Sequence, residues 1–66
     1  MTITLNGEQV PLEGALMLAD LISQRYGEPR GVAVAVDEAV VPRGSWLSYA
    51  LVPGQRVEVV TAVQGG

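Results

Sequence analysis

The sequence of 66 residues contains no cysteine, histidine, lysine or phenylalanine. Without cysteine and histidine, the chain has no disulfide, no thiolate nucleophile, no imidazole base and no thiolate or imidazole ligand for zinc. Without lysine, it has no amine for a Schiff base and no side-chain acceptor for an isopeptide bond. Serine, threonine, tyrosine and carboxylates are left for covalent chemistry, and a serine nucleophile would lack an activating base.

Basic charge and long apolar runs are also scarce. Four arginines stand against seven carboxylates, which gives a formal net charge of −3 and disfavours binding to nucleic-acid phosphates. Unbroken apolar runs such as Val32 to Val36 are far shorter than the roughly 20 residues needed to span a bilayer. The first residues lack the basic start and apolar run of a signal peptide, so the sequence predicts a cytoplasmic protein.

The first third of the chain predicts a hairpin. Residues 2–5 alternate polar and apolar side chains, and residues 9–12 repeat this pattern after Asn6-Gly7. Asn-Gly favours a type I′ hairpin turn because both residues tolerate a positive φ. Pro11 lacks a backbone donor and therefore suits an edge strand.

A helix is predicted over residues 18–26. Leu18, Leu21 and Ile22 form one apolar stripe of an amphipathic helix, which we expect to cover the core. Gly27 is a favourable residue for ending such a helix, because it adopts a positive φ without steric cost.

The rest of the chain predicts three strands separated by turns. Residues 32–36 form the first, Val40 and Val41 the second, and residues 56–63 the third, with a loop or short helical turn over residues 45–49. The helix joins the first hairpin to the later strands, so the first and last strands become parallel central neighbours. This order predicts an α+β β-grasp (ubiquitin-like) fold, with a mixed sheet of four to five strands and one main helix on one face.

The predicted domain covers residues 1–63, followed by a flexible Gly-Gly tail at residues 64–66. We expect its core to consist of the apolar residues on the inward faces of the helix and strands: Ile3, Leu5, Val10, Leu12, Leu18, Leu21, Ile22, Val34, Val36, Val57 and Val59.

The terminal Gly65-Gly66 is the feature that suggests chemistry. Glycines lack Cβ, so a short extended tail of this kind can enter a narrow channel. The group at its tip is the α-carboxylate of Gly66, which a partner with ATP could activate as a mixed anhydride with AMP. A sulfur or nitrogen nucleophile could then attack the carbonyl carbon. In this interpretation the reactive group belongs to the main chain.

The sequence resembles the ubiquitin-like MoaD/ThiS family of bacterial sulfur carriers, and within it the thiamine-biosynthesis branch, the ThiS family. The resemblance covers nearly the whole chain, and the Val-Pro-Arg-x-x-Trp pattern ending at Trp46 is its most specific part. The segments that carry it are Ile3-Thr4-Leu5-Asn6-Gly7-Glu8, Leu18-Ala19-Asp20-Leu21-Ile22, Val32-Ala33-Val34-Ala35-Val36, Val40-Val41-Pro42-Arg43, Gly54-Gln55-Arg56-Val57-Glu58-Val59-Val60 and Ala62-Val63-Gln64-Gly65-Gly66.

Three departures from the family pattern are visible. Met17 stands where the family usually offers a threonine as helix N-cap, and Pro53-Gly54-Gln55 replaces a common Asp-Gly-Asp turn. Gln64 stands where a third glycine is common, which narrows the steric tolerance of the tail but leaves Gly65-Gly66 in place.

The resemblance implies a sulfur carrier that is a cosubstrate and not an enzyme. A ThiF-like adenylating enzyme would activate the Gly66 carboxylate, and sulfur from a cysteine desulfurase system would convert it to a thiocarboxylate. A ThiG-like thiazole synthase would receive this sulfur to build the thiazole of thiamine. The chain itself would bind no cofactor or metal, since ATP and magnesium would belong to the partner, and it would be a monomer when free.

Several residues are predicted to contact these partners. The tail residues Gly65 and Gln64 are the first, together with Val60 and Ala62. These two would form a flat apolar docking patch with Ala33 and Ala35 on the open sheet face, the alternative being small solvent-facing residues with no docking role. The remaining two are Arg43 and Trp46. Both have an alternative role in holding their loop over the core, and for Trp46 this packing role is the favoured one.

Two other functions remain open from the sequence. The chain could donate sulfur to molybdopterin, as the molybdopterin-synthase small subunit does. It could also be a ubiquitin-like protein modifier or a non-covalent interaction module.

Overall fold

The computed structural model describes residues 1–27 and 31–61. Within them, five strands form one mixed sheet in the order β2-β1-β5-β3-β4, and the helix packs on one face. The elements are β1 (Thr2–Leu5), β2 (Glu8–Pro11), α1 (Leu18–Tyr26), β3 (Val32–Val36), β4 (Ala39–Val41), a 3₁₀ helix (Arg43–Ser48) and β5 (Arg56–Thr61). This is the predicted β-grasp fold.

The pairing of the strands follows the predicted topology. β1 pairs antiparallel with β2 and parallel with β5, while β3 pairs antiparallel with β4 and β5. β5 is therefore the central strand, although it comes last in the sequence. Pro11 lies on the edge strand β2, where its missing backbone donor leaves no gap in the ladder.

Both hairpins use turns with two consecutive positive φ angles. Asn6 has φ +49° and Gly7 has φ +83° in the first turn, while Asp37 has φ +50° and Glu38 has φ +71° in the second. Such turns match the right-handed twist of the flanking strands. The hairpin signal of Asn6-Gly7 is confirmed.

The helix begins without a side-chain cap. Met17 at the N-cap makes no capping hydrogen bond, as its side chain implies. The backbone partly compensates, because the Leu18 N–H donates to the Tyr49 carbonyl oxygen at 2.8 Å and the Leu51 N–H donates to the Leu16 carbonyl oxygen at 2.9 Å. The segment before β5 therefore anchors the start of α1.

The core lies between α1 and the covered sheet face. Every residue predicted for it is buried, and Leu18, Ile22 and Val57 are fully so, each with 0% exposure. Three further residues are buried in the same core: Val41, Trp46 and Leu51. Val41 and Leu51 were not predicted, because neither lies in a segment with a clear hydrophobic period.

The boundaries differ from the predictions in a few places. β4 begins at Ala39, one residue earlier than predicted, and the 3₁₀ helix begins at Arg43 because the Ser45 N–H donates to the Pro42 carbonyl oxygen. The predicted end of β5 at Val63 and the predicted tail at residues 64–66 lie outside the described residues. No helix in the described part of the chain is long and apolar enough to cross a membrane.

Candidate functional site

The candidate site begins at the end of β5. Thr61 is the last described residue, and the sequence continues directly into the predicted site. Ala62, Gln64, Gly65 and Gly66 lie outside the described residues, so their roles stay predictions. What the structure does describe is the strand from which they emerge.

β3 holds one side of this strand end. Ala33 pairs with Val60, and Val32 pairs with Thr61, in the antiparallel ladder. Val59 is buried, whereas Val60 is 66% exposed and Thr61 is exposed. The end of β5 is therefore paired with β3 through its last described residue, although its outward side chains are free of the core.

The side chain of Asn6 holds the other side of β5. Its Oδ1 accepts a hydrogen bond from the Val59 N–H at 2.8 Å, and its Nδ2 donates to the Val59 carbonyl oxygen at 3.2 Å. The sequence predicted a turn at Asn6 but missed these contacts. These hydrogen bonds could have been predicted only from the register of the parallel pair β1 and β5. That register places the residue after Leu5, which is Asn6, beside the end of β5.

The start of β5 is held by the second hairpin turn. The Arg56 N–H donates to Asp37 Oδ1 at 3.0 Å, and the Asp37 N–H donates to the Arg56 carbonyl oxygen at 2.8 Å. Arg56 Nη2 also lies 2.8 Å from Glu38 Oε2. Both side chains of this ion pair are exposed, so it adds little stability.

The open sheet face divides into a polar and a largely apolar half. On β1 and β2, the Thr2 hydroxyl donates to Gln9 Oε1 at 2.8 Å, and Gln9 Nε2 donates to the Thr4 hydroxyl at 3.2 Å. On β5, β3 and β4, the register brings together the small apolar residues Val60, Ala33, Ala35 and Val40, with Glu58 paired beside Ala35.

The structure thus assembles the described part of the predicted apolar patch. Val60 and Ala33 are exposed neighbours, and Ala35 is half-buried. Val40, which was not predicted for the patch, extends it and is 76% exposed. The docking role of these residues stays a prediction.

Trp46 and Arg43 lie on the 3₁₀ helix but in different environments. Trp46 is 3% exposed, and its indole Nε1 donates to the Val41 carbonyl oxygen at 2.9 Å. This burial agrees with the packing alternative. A direct contact of Trp46 with a partner stays a prediction, and it would require the ring to leave the core. Arg43 begins the 3₁₀ helix and is exposed.

The described residues offer no enclosed site. They form no pocket, and they bring no three carboxylates together at a distance suited to a metal ion. The features that the structure does build are the open sheet face and a central strand that leads to the last residues of the sequence.

Comparison with known proteins gives consistent results. A family model described as the ThiS family matches residues 3–66. Two solved structures of a thiamine biosynthesis protein from Geobacter metallireducens are similar to the chain at 25% identity, and each match covers 100% of this chain. The crystal structure, of the protein named ThiS, is covered over 100% of its length with a TM-score of 0.82, and the solution structure over 88% with a TM-score of 0.78. No match was found among curated proteins.

The family match spans nearly all of the sequence, including α1, strands β2 to β5 and all of β1 except Thr2. The structural matches extend over the same length and share the β-grasp architecture. The chain therefore belongs to the ThiS family.

Proposed function

We propose that the chain is a sulfur carrier of thiamine biosynthesis that carries sulfur as a thiocarboxylate on Gly66. The observation that carries this proposal is the family match, which extends from Ile3 through Gly66 and so includes Gly65-Gly66. The β-grasp fold supports it, because the strand that precedes these residues in the sequence, β5, is central in the sheet.

The chemistry requires an adenylating partner. The Gly66 carboxylate oxygen attacks the α-phosphorus of ATP, and pyrophosphate leaves. A persulfide sulfur then attacks the carbonyl carbon, and AMP leaves. A thiol reductant cleaves the remaining sulfur–sulfur bond, so that the thiocarboxylate stays on the carrier. ATP and magnesium are held by the partner, in this proposal a ThiF-like enzyme.

The carrier's contribution is recognition and presentation. Its open sheet face offers a patch of small apolar side chains around Val60 and Ala33, next to the strand end. A partner that docks on this patch would receive the last five residues of the sequence beside its own active site. A ThiG-like thiazole synthase would bind the same end when it accepts the sulfur.

Rescue of growth tests the pathway. Expression of the full chain should restore a bacterial thiamine auxotroph that lacks its own carrier, and deletion of Gly66 should abolish the rescue. A strain defective in the molybdopterin-synthase small subunit is the matched control, and it should not be rescued. Rescue of only the second strain would favour the molybdopterin alternative, and target-protein adducts shifted on a gel would favour a protein modifier.

A further inference from the structure

The Asn6 side chain takes the place of a strand residue beside the end of β5. The parallel ladder reaches Leu5, and the Asn6 backbone N–H extends it by donating to the Val57 carbonyl oxygen at 2.9 Å. The chain then turns away at Asn6, and the next two hydrogen bonds come from its carboxamide, which bonds both the N–H and the carbonyl oxygen of Val59. A carboxamide can do this because it carries the same donor and acceptor as a peptide group.

The two hydrogen bonds to Val59 lie close to the end of β5, just before the predicted site. Val59 is the last buried residue of β5, and Val60, Thr61 and the predicted site follow it. Because β1 ends at Leu5, Asn6 makes the last hydrogen bonds that β5 receives from this side in the described part of the chain. Restraint from both sides of the strand therefore ends at Val59.

The same carboxamide also lies near the end of α1. Asn6 Nδ2 lies 3.5 Å from the Tyr26 hydroxyl oxygen, a long hydrogen bond. Tyr26 is the last residue of α1 and packs against the core. The Asn6 carboxamide thus lies between the end of the helix and the end of the central strand.

We propose that Asn6 is a positioning residue for the adenylation of Gly66, an inference that rests on the function proposed above. Its carboxamide restrains Val59, and so holds the end of β5, from which the sequence continues to Gly66. A partner that binds at the end of β5 then loses less conformational entropy, because ordering a chain segment on binding is costly and this strand end is already restrained. Loss of this restraint weakens uptake of the carrier and leaves the chemical step at Gly66 unchanged.

The test compares two glycine variants of the full chain by the steady-state kinetics of their adenylation by a ThiF-like enzyme. The concentration of the carrier chain is varied. Asn6→Gly keeps the positive φ and removes both bonds to Val59. Asp37→Gly is the matched control, since Asp37 has nearly the same φ and also accepts a hydrogen bond from β5, but at Arg56. Asn6→Gly should raise KM about three- to tenfold, because the freed strand end must be ordered when the carrier binds. Its kcat, and both constants of Asp37→Gly, should stay within about twofold of the parent values.

Amide hydrogen exchange gives a readout without the partner. Exchange of the Val59 amide should be about tenfold faster in Asn6→Gly, and in Asp37→Gly the increase should fall on Arg56 instead. An unchanged KM for Asn6→Gly, equal KM increases in both variants, or unchanged exchange at Val59 would overturn the inference. Failure of the parent chain to be adenylated would instead refute the proposed function, and the exchange comparison would still decide whether Asn6 restrains β5.

Discussion

The two ends of β5 are held by similar hairpin turns. At the start of the strand, Asp37 has φ +50° and its carboxylate accepts from the Arg56 N–H at 3.0 Å. At the end, Asn6 has φ +49° and its carboxamide accepts from the Val59 N–H at 2.8 Å. A turn residue in the left-handed region can thus serve both its own hairpin and a neighbouring strand.

The difference between the turns lies in their chemistry. A carboxylate only accepts hydrogen bonds, so the second bond to Arg56 comes from the Asp37 backbone, whereas the Asn6 carboxamide supplies both bonds to Val59. The second position is Gly7 in one turn and Glu38 in the other. A glycine adopts a positive φ at a lower conformational cost than a glutamate does. The first turn, which contacts the end of β5, is therefore the less strained of the two.

The largest loss of stability, felt at both ends of β5, should come from changing a buried residue between them. Val57 is fully buried on β5, and Val57→Ala should lower the free energy of unfolding by about 2–3 kcal/mol through lost burial and a residual cavity. Urea denaturation would measure this loss. Amide exchange should accelerate at Arg56 and Val59 together, and acceleration at one end alone would show that the ends unfold independently.

An intermediate effect is expected at the second position of the first turn. Gly7 has φ +83°, and an added Cβ would meet no atom within 4 Å, so the cost of Gly7→Ala is conformational and not steric. We expect a loss of about 1 kcal/mol, because an L side chain disfavours the left-handed region. Thermal and urea denaturation should agree on this loss. An unchanged stability would mean that the turn relaxes to another geometry.

The smallest effect is expected at the matching position of the second turn. Glu38 already has a side chain at φ +71°, so Glu38→Ala loses only the exposed ion pair with Arg56. The cost should be below about 0.5 kcal/mol and should fall as salt is added. A loss as large as that of Gly7→Ala would contradict the proposed difference between the turns.

Local pattern was sufficient to predict most of the fold. The bounds of α1 and β3 match the predictions because α1 has one clear apolar stripe and β3 is a short unbroken apolar run. Turn-forming residues such as Gly27 mark where such segments end. Leu51 was missed since its burial depends on a backbone pairing with Leu16, which no local pattern indicates.

The contacts at the strand end were beyond local pattern. Asn6 and Val59 are 53 residues apart, and their hydrogen bonds depend on the register between β1 and β5. The turn preference of Asn6 was readable from Asn6-Gly7, but its second role required the three-dimensional structure. The sequence similarly left two roles open for Trp46, and its environment in the structure agrees with packing.

The most direct test of the sulfur-carrier function is the intact mass of the chain. The full chain would be incubated with its adenylating enzyme, magnesium, ATP, a persulfide donor and a thiol reductant. The account predicts a mass increase equal to the replacement of one oxygen by one sulfur, located at Gly66 by fragmentation and absent when ATP is omitted. As a control, the same enzyme should convert its own native carrier protein under the same conditions. An unchanged mass of the present chain in that experiment would contradict the account.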